Sequence, residues 1–117
     1  MSLFAALAAG LALSASPVDL SDLKPADRAD LQCMTLIIVT IGASGDSESA
    51  AGLASGATFY YGRLQGRTPG TDWLARLATY ARTEPGAELE ANRQRCVQEM
   101  QTLGQLFITM GATMQGS

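Results

Sequence analysis

Histidine is absent from this 117-residue chain, lysine occurs once, at Lys24, and charged residues make up only 16% of the sequence. Without imidazole there is no Ser-His-Asp or Cys-His catalytic arrangement, no His-ligated zinc and no histidine general base. Eight basic residues against eleven acids, a formal net charge of -3, leave no basic stripe to neutralise a phosphate backbone, so nucleic-acid binding is not expected. Ordinary soluble proteins carry about 25% charged residues. The surface here must therefore be built largely from Gln, Ser, Thr, Gly and Ala.

Cysteine is equally sparse. Cys33 and Cys96 are too few for a four-cysteine zinc site within one chain and too far apart for a Cys-x-x-Cys redox pair. They are either two buried thiols or one long-range disulfide, and the N-terminus helps decide. Leu3 to Leu13 (LFAALAAGLAL) is an uncharged apolar run, too short for a spanning helix, which needs about 20 residues, but of signal-peptide length. Small residues follow, and Pro17 opens a polar stretch. The expectation is a signal peptide over residues 1–15, cut after Ser14 or Ala15, although no Lys or Arg precedes the run. A single helical domain over 16–117 follows, in an oxidising compartment, with no stable membrane span in the mature chain.

Punctuation divides that domain into four segments of helical character. Pro25 suits a first helical turn, and Ala26 to Ile41 follows. Gly42 to Gly45 breaks the segment, and Asp46 or Ser47 caps a second one running to about Gly66. Thr68-Pro69 reads as an N-cap and N1 pair opening a third around Asp72 to Arg82, which Glu84-Pro85-Gly86 stops. The fourth runs from Ala87 to about Met114, with Glu88 and Glu90 in the first turn, where the helix dipole favours acids. On it, Leu89, Cys96, Met100, Leu103, Phe107, Met110 and Met114 form one seam spaced by threes and fours, with Arg93 the polar intruder. The stripes Leu53, Ala57, Tyr60, Leu64 and Trp73, Leu77, Tyr80 mark the middle helices.

Leu36 to Ile41 (LIIVTI) is apolar and β-branched on every side, a pattern shared by a buried strand and a buried helix. The following Gly42-Ala43-Ser44-Gly45 imitates a dinucleotide-binding loop and brushes against a nucleophile elbow. It lacks the third glycine and any partner strand of the first, and the final glycine and histidine of the second. The expected fold is therefore all-α: a small four-helix bundle-like domain whose first and last core helices are tied by a Cys33–Cys96 disulfide.

Three groups of residues stand out as candidate sites. Arg63 and Arg67, one helical turn apart beside Tyr60 and Tyr61, could clamp a carboxylate or phosphate, or could pair with acids of the same chain. Ile108, Met110 and Met114 could form an adaptable apolar contact, because the fourth helix is too long for its shorter neighbours to cover; its seam is expected to serve as core up to about Phe107. The carboxylates Glu88, Glu90 and Glu99 read as mostly off the apolar seam, and Asp27 and Asp30 as a solvated first turn. No catalytic residue, metal site or cofactor is assigned.

With a leader, an early cysteine in Leu31-Gln32-Cys33-Met34, the stretch Tyr60-Tyr61-Gly62-Arg63-Leu64-Gln65-Gly66-Arg67 and a second cysteine in the last helix, the chain resembles small secreted two-cysteine helical proteins of Gram-negative bacteria. In layout, over roughly Leu31 to Met100, it is similar to the periplasmic acid-stress chaperone family. The resemblance implies a helical bundle tied by its disulfide and a dimer that opens to expose apolar surface; only the cysteine pair carries over as functional residues. The reading is a non-catalytic periplasmic or secreted protein, chaperone-like or an envelope accessory, that engages a protein partner or client and could form a homodimer. A small-ligand bundle, using an apolar groove or the arginine clamp, is the alternative.

Overall fold

Four α-helices make up the secondary structure of residues 19–83 and 86–116, which the computed structural model describes. They are α1 (Pro25–Ala43), α2 (Ser47–Arg67), α3 (Trp73–Thr83) and α4 (Gly86–Gln115). No strand occurs among the described residues. The proposed leader, residues 1–15, lies outside them, as do Glu84 and Pro85 of the expected stop signal.

The ambiguous β-branched run is helix, and α1 is the central element. Asp30 to Ile37 are buried without a break, which an α-helix permits only when neighbours surround it, because each residue advances about 100° around the axis. Farther along, Val39 is 51% exposed, so the wrapped portion ends midway through the apolar run. Asp46 begins α2 as expected: its carboxylate accepts the backbone N–H of Glu48 at 3.1 Å, which supplies a partner to one of the orphan donors of the first turn.

The start of α3 differs from expectation. Thr68 closes α2, its N–H bonding the Leu64 carbonyl, and Pro69-Gly70 forms a turn in which Gly70 has φ +78°. That left-handed conformation suits glycine. Asp72 is the residue that caps α3, accepting the N–H of Ala75 at 3.0 Å. Pro69 restricts its own φ, but the turn it makes with Gly70 ends one helix rather than starting the next.

Contacts set the directions of the helices. Asp27 meets Arg67 and Asp30 meets Arg63, while Ile37 and Gly56 adjoin farther up, so α2 runs antiparallel to α1. Glu88 meets Arg28 and Gln32, and Cys96 is bonded to Cys33; α4 thus advances in the same sense as α1. The first and last helices lie side by side, tied by the expected disulfide. The core comprises Leu31, Met34, Tyr60, Leu64, Trp73 and Tyr80 with the disulfide. The aromatic side chains contribute most, each stabilising by roughly 2–3 kcal/mol on burial.

Beyond Met100, α4 leaves this core. Residues 101–116 are exposed apart from Leu103 and Gly104, which are half-buried. The seam therefore serves as core face only to about Leu103, and Phe107, 72% exposed, is not part of it. Helix length is the reason: thirty residues span about 45 Å at 1.5 Å per residue, whereas its neighbours end sooner.

Candidate functional site

Three features of this framework bear on function: the disulfide, a buried ion-pair network, and the exposed half of α4. Cys33 and Cys96 are joined with their Cα atoms 5.5 Å apart, and both residues are almost wholly buried. They face each other because α1 and α4 pack side by side at Leu31 to Ile37. The bond is shielded from exchange with external thiols and acts as a tie between helices.

Arg63 and Arg67 lie on the face of α2 that meets the first turns of α1. Asp30, with no solvent exposure, accepts from Arg63 Nη2 at 2.6 Å and Nε at 3.1 Å, and from Arg67 Nη2 at 2.9 Å. Asp27 accepts from Arg67 Nη1 at 2.6 Å and from the Thr68 hydroxyl at 2.7 Å. Glu99 takes the remaining Arg63 nitrogen, Nη1, at 3.2 Å. Far from belonging to a solvated first turn, Asp27 and Asp30 are buried, and every oxygen of the two carboxylates has a partner. Of the two readings of the arginine spacing, the structure shows the pairing with acids of the same chain.

Electrostatics follow from this packing. Burial pulls the Arg63 guanidinium down, but Asp30 and Glu99 outweigh it and hold the group above its ordinary range. For Arg67 the bonds to Asp27 and Asp30 dominate and raise it. Tyr60 is fully buried, and its hydroxyl donates to the Cys96 carbonyl at 3.4 Å. Burial first, and then the neighbouring Glu99 carboxylate, push its phenol above the usual tyrosine value. Tyr61 is half-buried, and its hydroxyl accepts from Gln65. The four residues singled out as an anion contact are thus neighbours on α2, but the structure does not gather them around an open cleft. Sequence spacing revealed the cation pair and missed its acids, because the 33 to 40 residues separating the partners leave no periodic signal.

An apolar groove of about 280 Å³ opens between α1, α2 and α4, lined in part by Leu36, Ile37, Leu53, Gly56, Val97 and Met100. This groove lies beside Met100, and a more open depression lined in part by Leu106, Thr109 and Met110 lies farther along α4. At Gly56 the neighbours come close: a Cβ there would stand 3.3 Å from Met100 Cε and 3.4 Å from Ile37 Cδ1.

Past the groove, the exposed half of α4 carries Leu106, Phe107, Ile108, Met110 and Met114, each between 59% and 72% exposed. From Met100 to Ser117 the sequence contains no charged residue. A contiguous apolar surface of this kind marks a contact region more often than a solvated face. Elsewhere, no group of three or more acidic, cysteine or histidine side chains among the described residues could hold a metal ion, and no helix among them is long and apolar enough to cross a membrane. In comparisons with known proteins, no family model, curated protein or solved structure matches this chain.

Proposed function

We propose that this is a non-catalytic periplasmic protein that works through protein contacts, as a chaperone-like or envelope-accessory factor, with the exposed half of α4 as its contact surface. The observation that carries this reading is the pairing of a disulfide-tied core with a projecting, charge-free apolar helix. Among the described residues the core forms without residues 105–116, which supports a role for their exposed apolar side chains in contact. A buried disulfide is compatible with an oxidising compartment. Methionine and leucine on a helix give an apolar face that adjusts to more than one partner shape.

The test is suppression of aggregation. Reduced, unfolding lysozyme is incubated with the full chain, with a Phe107→Gln, Met110→Gln variant, and with an Arg63→Lys control, and light scattering is followed. The reading expects the parent and the control to delay aggregation and the α4 variant to lose most of that effect. Equal activity of all three, or none in the parent, would remove the apolar face from any chaperone-like role.

A further inference from the structure

We propose that the exposed half of α4 pairs with the same segment of a second copy of this chain, through the seam Leu103, Phe107, Met110 and Met114, making a symmetric helix-helix dimer. This rests on the reading of α4 as a contact surface and names its first partner.

Periodicity is the first support. Leu89, Arg93, Cys96, Met100, Leu103, Phe107, Met110 and Met114 alternate in steps of four and three over the whole helix, the 3.5-residue repeat that keeps one stripe against another helix. In the proximal part α1 and α2 meet that stripe, at Cys96 through Cys33 and at Met100 through Gly56. The repeat continues into the exposed half with no change of phase. A helix with the same repeat is the partner that such a stripe fits.

Helix stability is the second. Residues 101–116 contain Gly104, Gly111, Thr102, Thr109, Thr113 and Ile108, all poor helix formers, and no charged i,i+4 pair supports them. A stretch of this composition gains little as a helix in water and depends on burying its apolar side.

Charge and area point to the chain itself. Two copies each carry a net charge of -3 and repel weakly wherever acidic surfaces meet. The stretch from Met100 onward has no charged side chain, so identical segments can meet there without repulsion. Leu106, Phe107, Met110 and Met114 lie on or beside the stripe and are 59–72% exposed; pairing these four from each copy removes somewhat under about 1,000 Å² in total, the size of a weak, reversible interface rather than an obligate one. Isologous contact then follows, since one patch meets itself.

The geometry also separates seam from flank. Ile108 lies about 100° around the helix from Phe107 and farther still from Met110, so it stays outside the paired stripe although it is 67% exposed. Sedimentation velocity of the full chain from 1 to 200 μM is compared with Phe107→Gln, Met110→Gln and with Ile108→Gln, and circular dichroism confirms that all three keep their fold. A monomer–dimer equilibrium in the parent is expected, with association weakened about tenfold or more in the seam variant and little changed by Ile108→Gln. A parent that stays monomeric, or an Ile108→Gln effect as large as that of the seam, overturns the dimer. If the monomeric parent still suppresses lysozyme aggregation, the dimer fails and the chaperone-like reading stands. If it does not, and residues 101–116 are protected from hydrogen exchange in that monomer, the face is covered within its own chain and both readings fall.

Discussion

Asp30 and Arg63, 33 residues apart, form a two-pronged ion pair in which the carboxylate is fully buried and the guanidinium remains 38% exposed. The asymmetry matters for stability. The acid depends on its cations, whereas the base keeps access to water.

Removing the acid should therefore cost less than removing the bases. Asp30→Asn leaves Arg63 with Glu99 and Arg67 with Asp27, and the unmet guanidinium nitrogens can turn partly toward solvent, so a loss of about 2 kcal/mol is expected after allowing for that screening. The double variant Arg63→Met, Arg67→Met strands two buried carboxylates, and the expected loss is on the order of 4 kcal/mol. Urea unfolding at pH 7 measures both. A double variant no less stable than Asp30→Asn would contradict the asymmetry.

The disulfide closes a loop of 63 residues. Chain entropy assigns it roughly 4 kcal/mol, so Cys33→Ala, Cys96→Ala should unfold at clearly lower urea than the oxidised parent, with helix content at low temperature mostly retained. Comparing the oxidised and reduced parent checks the same quantity without mutation. A difference under about 1 kcal/mol would show that the reduced unfolded chain is already held compact.

Tyr60 governs an alkaline limb. Its phenol is raised in the folded state above the ordinary value of 10.0 by burial and Glu99. The folded protein therefore holds this proton more tightly than the unfolded chain does, and the associated stability, complete below pH 10, declines as pH rises above it. The urea midpoint of the parent should fall between pH 8 and pH 11 more steeply than that of Tyr60→Phe. Parallel curves for the two proteins would assign the alkaline loss elsewhere.

Glycines on α2 should respond in opposite directions. Gly62 has nothing within 4 Å of a built Cβ, and Gly62→Ala should gain up to about 1 kcal/mol from helix propensity. Gly56→Leu drives a side chain into Met100 and Ile37 and should cost about 1–3 kcal/mol by overpacking. Thermal unfolding separates them. A destabilised Gly62→Ala would mean that a neighbour approaches that face in solution.

Much of this architecture is legible in the linear chain because it depends on local chemistry. Pro25, Asp46 and the Gly42–Gly45 break mark helix ends through backbone restriction and capping, and Leu36 to Ile41 reads as a buried helix once no partner strand is found. The 3-4 seam of α4 and the two cysteines announce a helix pairing and its covalent tie. What the order of residues leaves open depends on distance across the fold. Asp27 and Asp30 look like the acids of any exposed first turn until α2 lays Arg63 and Arg67 over them, because burial is a property of neighbours. Thr68-Pro69 carries the letters of a helix start, yet the chain uses it to end α2, since a turn at Gly70 lets Trp73 reach the core. The point at which the α4 seam stops being core was likewise decided in three dimensions. Phe107, Met110 and Met114 continue the pattern of Cys96 and Met100 without interruption, and only the ends of α1 and α2 determine which of them the monomer covers.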